Sequence, residues 1–175
     1  LQYLLPQHVL SRLVGTLARG RVRWWSRLLI RRFLRHYPVD LSEAERTDPG
    51  DYASFNEFFT RRLRPGLRPA DADPRAVVCP VDGSISRAGH LDGDRVLQAK
   101  GIHYSAESLL GGDPALAAEF AGGSFATLYL APHDYHRIHM PLAGTLRRAR
   151  FVPGDLFSVN ATTAESVPGL FARNE

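Results

Sequence analysis

The sequence predicts an α+β protein, with amphipathic helices at the N-terminus followed by a mostly antiparallel, β-rich core. Three observations predict it. Apolar residues among the first 37 positions recur at steps of three and four, the spacing of one helix face. Beyond about residue 76 they come instead in short runs separated by Gly and Asp, the pattern of strands and turns. The 175 residues are 44% hydrophobic and 23% charged, which suits one globular domain, or one with an appendage, and excludes wholesale disorder.

Taken in order, Val9, Leu10, Leu13, Val14, Leu17 and Ala18 mark a first helix that Gly20 ends. A second helix carries Val22, Trp25, Leu28, Leu29 and Phe33 on one side. Arg23, Arg27, Arg31 and Arg35 step by four along another stripe, and Trp24-Trp25 lies near the start. Arginines interrupt every apolar run before it reaches the ~20 residues of a membrane-spanning helix. Nor does a small-residue cleavage site follow a clean apolar run, as a signal peptide requires. Residues 40–52 are acidic and loop-like. Ser54-Phe55-Asn56-Glu57 has the Ser-x-x-Glu form of a capping box and opens a short helix expected to run through Leu63 and to be ended by Pro65. Pro65, Gly66, Pro69 and Pro74 mark an irregular connector. Strand-like runs follow at Val77 to Ser86 around Pro80, Arg95 to Ala99, Phe125 to Leu130 and Thr145 to Val152, with one helix from about Ser105 to Phe120. The chain thus divides into helices (1–39), an acidic loop, short helix and connector (40–75), and a β-rich core (76–175).

Charge follows the same division. Eight arginines, from Arg12 to Arg35, precede the first acid, Asp40, whereas the remaining 14 basic residues face 18 acidic ones. The formal net charge of +4 is therefore a basic appendage on a mildly acidic body, which disfavours a uniformly basic nucleic-acid binder. Two readings of the helices stay open. They form a hairpin packed on the protein's own body, or they lie in a membrane interface. There, Trp24 and Trp25 would sit at the headgroup boundary and Arg23, Arg27, Arg31 and Arg35 would meet anionic lipid. The single cysteine, Cys79, excludes an intrachain disulfide and a Cys-based zinc site, and points to a reducing compartment.

The densest chemistry is Pro132-His133-Asp134-Tyr135-His136-Arg137-Ile138-His139-Met140-Pro141, which holds three of the seven histidines. Histidine carries protons near neutral pH. A metal site would need the three on one face. The flanking prolines argue against a helix, and in an extended chain residues three apart point to opposite faces, so no metal is expected. Asp82, in Pro80-Val81-Asp82-Gly83, either shapes an Asp-Gly turn or orients a histidine of the other cluster as the acid of a triad does. Ser84 and Ser124 both follow glycine but sit in no nucleophile elbow. Gln98-Ala99-Lys100-Gly101 presents the chain's one lysine, and residues 152–160 join a turn to an apolar patch.

Together these segments resemble bacterial, pyruvoyl-dependent phosphatidylserine decarboxylase. The resemblance is carried in order by Phe55-Asn56-Glu57-Phe58-Phe59, Pro80-Val81-Asp82-Gly83, Gln98-Ala99-Lys100-Gly101, Asp134-Tyr135-His136-Arg137-Ile138-His139-Met140-Pro141, and Val152-Pro153-Gly154-Asp155-Leu156-Phe157-Ser158-Val159-Asn160. Leu170-Phe171-Ala172-Arg173-Asn174-Glu175 also fits. It implies a proenzyme that cuts itself at the Gly-Ser bond of a Leu-Gly-Ser-Thr motif, leaving a pyruvoyl group on a small α subunit and the rest as the β subunit. It implies that Asp82 orients His139, the base for self-cleavage, and that His136 handles a proton during decarboxylation. It implies too that the substrate amine would form a Schiff base with the pyruvoyl ketone, that this imine would accept the electron pair released with CO₂, and that protonation and hydrolysis would then yield phosphatidylethanolamine. No Leu-Gly-Ser-Thr occurs in these residues, so they are expected to be most of the β subunit, a piece of a longer product and inactive alone. The implied partners are the α subunit, phosphatidylserine and an anionic membrane surface, with room for a homodimer of αβ units. The implied location is the cytoplasmic side of a bacterial cell membrane, peripherally bound. A non-catalytic membrane-binding module and a His-site metal hydrolase are the rival readings.

Overall fold

A computed structural model describes residues 5–99 and 101–173. Lys100, Asn174 and Glu175 lie outside the described residues. The chain forms two compact units: one from Leu1–Arg12, Ile85–Leu128 and Arg147–Glu175, the other from Leu13–Ser84 and Tyr129–Leu146.

The first helices form as their periodicity predicts: α1 spans Gln7–Arg19 and α2 spans Arg23–His36. α1 buries no residue, and Val9, Leu10, Leu13, Val14 and Leu17 are all about half exposed or more. α2 is anchored differently. Its buried Ser26 donates from Oγ toward the carbonyls of Gly20 (3.1 Å) and Ala53 (2.9 Å), and its fully buried Ile30 packs with Tyr52 and Phe58.

The helix that follows, α3, spans Phe55–Phe59. Ser54 Oγ accepts from the Glu57 amide at 3.1 Å, as a capping serine should. Glu57 reaches one residue further back than a capping box requires, accepting from the Ala53 amide at 2.7 Å. α3 stops at Phe59, short of the expected Leu63. Leu63 instead bridges antiparallel to Ala44, with Glu45 N–H to Arg62 O and Arg64 N–H to Glu43 O both at 2.9 Å, so backbone pairing across the loop displaces the last helical turn. Phe58 is completely buried among Ile30, Phe33, Tyr52 and Phe55. Phe58→Ala should therefore destabilise the protein by about 3–5 kcal/mol in a denaturant titration, from lost transfer energy and the cavity left behind.

Among the described residues two two-stranded sheets form, most of their residues in the other unit. β1 (Ser84–His90) pairs with β4 (Ser124–Tyr129), and β2 (Arg95–Ala99) pairs antiparallel with β3 (Ile102–Ser105). Between them, the single helix expected over residues 105–120 is two short ones, α4 (Ala106–Leu109) and α5 (Pro114–Ala118). Gly111 and Gly112 both adopt positive φ and break it, and Asp113 caps the second piece. Leu91, Val96, Ala106 and Ala117 form a small core. A second core joins Phe157, Ala164 of α6 (Ala161–Ala164), Val167 and Leu170. Buried Gln98 on β2 ties into it: Nε2 donates to Ala164 O (2.7 Å) and Val167 O (2.8 Å), while Oε1 accepts from the Leu170 amide (2.9 Å).

Two strand expectations fail. Thr145 to Val152 forms no strand, and Leu146 and Phe151 stay largely exposed; β-propensity makes no strand without a paired neighbour. The run from Val77 becomes a strand only at Ser84. Its earlier part does find a partner, with Val78 N–H to Pro141 O and His139 N–H to Pro80 O, both at 2.8 Å. Those two bonds have an antiparallel register, but the reciprocal ones need amide protons that Pro80 and Pro141 lack, so no ladder extends.

Candidate active site

That proline-limited pairing builds the site. It sets His139 opposite Pro80, two residues from Asp82, within one compact unit. Gly83 is required next: a Cβ there would lie 2.5 Å from the Tyr129 carbonyl oxygen, so the backbone at the Asp82 turn closes down where only glycine fits. Asp82, Tyr135 and His139 line one cleft of about 550 Å³, with Arg68, Val78, Val81 and Met140.

The structure brings Asp82 and His139 into this cleft without joining them directly among the described residues. His139 Nε2 lies 2.9 Å from the Tyr135 hydroxyl, with the two rings stacked 5.6 Å apart. Asp82 is held by Arg68. Nε lies 2.8 Å from Oδ2 and 3.1 Å from Oδ1, and Nη2 lies 2.7 Å from Oδ2. The same guanidinium contacts Glu43 at 2.8 and 3.2 Å. Hydrogen bonds to Glu43 first and Asp82 second push the Arg68 pKa further above its ordinary value.

His136 occupies a different setting. Its ring stacks on Phe59 at 4.0 Å, and its Nε2 lies 2.9 Å from the Ala131 carbonyl oxygen. α3 thus uses adjacent phenylalanines for two tasks, Phe58 in the core and Phe59 against this imidazole. Burial lowers the His136 pKa below the ordinary imidazole value, against the opposing hydrogen bond to Ala131. The loop around it is fixed by Asp134, whose carboxylate accepts from the Ala131 amide at 2.6 Å. Buried Arg61 clamps the same loop, donating to the carbonyls of His133 (3.1 Å) and Asp134 (3.2 Å), and Arg137 Nε donates to Thr60 O at 2.9 Å.

His133 lies 3.5 Å from Asp134 Oδ1, apart from the other two histidines' partners. Among the described residues no three His, Cys, Asp or Glu side chains converge as a metal cluster would. Arg23, Arg27, Arg31 and Arg35 are all exposed on α2. The two tryptophans part ways: Trp24 is 68% exposed, whereas Trp25 is half-buried and donates from Nε1 to Leu17 O at 3.2 Å. Among the described residues no helix is long and apolar enough to cross a membrane.

Sequence reading missed Arg68, Glu43, Tyr135 and Arg61. Arg68 lies 14 residues from Asp82 and 25 from Glu43 in a proline-rich connector, and no local pattern signals such pairing. Tyr135 was within reach, because it sits four residues before His139 in the densest motif.

Comparison with known proteins bears on the same residues. Residues 55–175 match the family model described as phosphatidylserine decarboxylase, and residues 1–38 match one described as PSD. The chain is 59% identical over 174 residues to a phosphatidylserine decarboxylase proenzyme of Pseudomonas putida, covering 99% of this chain and 61% of that protein. The proenzymes of Pseudomonas fluorescens and Delftia acidovorans are also 59% identical, with 99% of this chain and 60% and 61% of theirs covered. The chain therefore spans 61% of the length of the Pseudomonas putida and Delftia acidovorans proteins. The larger match takes in Asp82, His136, His139 and the helix carrying Phe59. With more than half of the chain inside it, the chain belongs to the phosphatidylserine decarboxylase family.

Proposed function

We propose that these residues form the β-subunit part of an enzyme that converts phosphatidylserine to phosphatidylethanolamine. The enzyme would act at the cytoplasmic face of a bacterial membrane, with a pyruvoyl group that self-cleavage leaves on an α subunit. The observation that carries the reading is the shared cleft of Asp82 and His139, built by backbone pairing between the two motifs that the family resemblance singles out. The cleft suits a small carbonyl group, because it offers a carboxylate, an imidazole and a phenol hydroxyl beside apolar Val78, Val81 and Met140. When present, that group supplies the electron sink for decarboxylation.

The work of this chain is proton transfer and orientation. During maturation His139 would take the proton of the attacking serine hydroxyl, and Asp82 would hold the imidazole in the required tautomer. A ring nitrogen has one lone pair, so a hydroxyl approaching Nε2 takes the place of Tyr135. During decarboxylation His136 would supply a proton. Its partly buried ring, stacked on Phe59 and hydrogen-bonded to Ala131, holds one orientation for that task. The deciding experiment is intact mass measurement of the full-length product. Two chains, the smaller beginning with pyruvoyl, support the proposal; one uncut chain that still decarboxylates overturns it.

Membrane attachment belongs to the same proposal. Its support is the exposed apolar face of α1, exposed Trp24, and the arginine stripe of α2. Each arginine near an anionic surface is worth about 1 kcal/mol. Replacing Arg23, Arg27, Arg31 and Arg35 by Gln should therefore weaken sedimentation with phosphatidylglycerol vesicles on the order of several hundredfold. Binding to neutral phosphatidylcholine vesicles should change little.

A further inference from the structure

Arg68 has no part in the scheme so far, yet among the described residues it makes the closest polar contacts to the carboxylate proposed to govern self-cleavage. Its grip on Asp82 is lopsided. Oδ2 receives both short contacts, 2.7 and 2.8 Å, whereas Oδ1 receives only the 3.1 Å contact from Nε. A carboxylate has about four acceptor sites, so Oδ1 keeps capacity for a further donor while Oδ2 is committed. The guanidinium cannot swing freely, because Glu43 holds its other edge at Nη1 (3.2 Å) and Nη2 (2.8 Å). A rigid planar fork fixed on one acid and closed on a second acts as a strut. Its far end lies in the cleft that holds His139.

We propose that Arg68, braced on Glu43, is a positioning residue for self-cleavage that clamps Oδ2 of Asp82 and presents Oδ1 to His139. The proposal rests on the reading that Asp82 orients His139. Arg68 itself touches no reacting atom in this scheme. It removes the carboxylate's rotational freedom, which would otherwise be frozen at the moment of reaction. A lysine at this position would keep a charged contact to Oδ2 but not the fork, so it should hold the carboxylate in part.

The test uses the full-length proenzyme, with Arg68→Gln, Arg68→Lys and Asp82→Asn expressed side by side. The fraction cut is followed over time by denaturing electrophoresis, and folding is checked by thermal denaturation. The expected result is at least a tenfold slower cut in Arg68→Gln, with Arg68→Lys recovering at least threefold of that loss while melting at the same temperature. Wild-type cleavage by Arg68→Gln, with Asp82→Asn uncut, overturns the role of Arg68 and leaves that of Asp82 standing. Equal rates in the Gln and Lys variants also overturn it, because an ammonium can still hold Oδ2 by charge and one hydrogen bond whereas a neutral amide holds it more weakly. If Asp82→Asn matures normally, the reading of Asp82 fails and the clamp fails with it. Should Arg68→Gln not fold, Glu43→Gln removes the brace alone, and its cleavage should slow severalfold; an unchanged rate sinks the strut.

Discussion

Full-length proenzyme carrying His139→Ala is expected to remain a single uncut chain, and Asp82→Asn is expected to do nearly the same. His139 loses the base outright, a loss of about 10²–10⁴-fold for proton transfer from a positioned group. Asp82→Asn keeps the shape of the side chain but offers an amide where the carboxylate accepts, and the corresponding change in a Ser-His-Asp triad costs on the order of 10⁴-fold. Denaturing electrophoresis at intervals after synthesis reads both variants. Both variants keep the backbone bond from His139 N–H to Pro80 O, which uses no side-chain atom, and thermal denaturation of each checks that the fold is retained. Normal appearance of two subunits in either variant would falsify the assignment for that residue.

His136→Ala is expected to give the opposite pattern. The proenzyme should mature, because His136 hydrogen-bonds to Ala131 and stacks on Phe59, away from the Asp82–Arg68 and Tyr135–His139 pairs. Decarboxylation should fall by about 10²–10⁴-fold. Activity on phosphatidylserine dispersed in detergent, normalised to the amount of cleaved enzyme, separates the two stages. Full activity in His136→Ala would remove it from the mechanism. The pH dependence gives an independent reading. Burial holds the imidazole pKa below its ordinary value, so at neutral pH the ring is mainly uncharged. A step that uses the imidazolium as acid should therefore speed up as pH falls toward that depressed pKa. Linkage runs against this gain. The folded-state pKa lies below the unfolded one, so the ring's contribution to stability is present above the unfolded pKa and lost as pH falls through the folded value. The rate should rise and then fail as pH drops, and His136→Ala should lose the rise.

Much of this was legible in the residues. Both N-terminal helices follow the three- and four-residue steps, and Ser54 caps α3 where its motif placed the cap. The motif segments containing Asp82 and His139 do meet in one cleft. What the residues concealed was long-range. The helix expected to reach Leu63 gives way at Phe59 to a bridge with Ala44, a partner 19 positions earlier that no window on the local sequence contains. The strand from Val77 fails because its partner segment also carries a proline at the pairing edge, a clash visible only once the two are aligned. Arg68 belongs to the same class. It sits among turn residues and reads as a solvated charge until Glu43 and Asp82 are folded onto it.

Gln98 has a bearing on how such a protein can change over time. Its amide holds the segment from Ala164 to Leu170 through two carbonyls and one N–H of the main chain, and through no side chain. Main-chain groups are common to nearly every amino acid, so substitutions at those three positions leave the bonds intact and exert no compensating pressure on residue 98. Paired substitutions across a lineage would therefore carry no trace of this contact, however strongly it constrains the fold. Gln98 should stay fixed while Ala164, Val167 and Leu170 vary only as far as their buried packing allows, and Gln98→Glu, which exchanges two donated bonds for a buried charge facing two carbonyls, should be among the least tolerated single-atom exchanges in the unit.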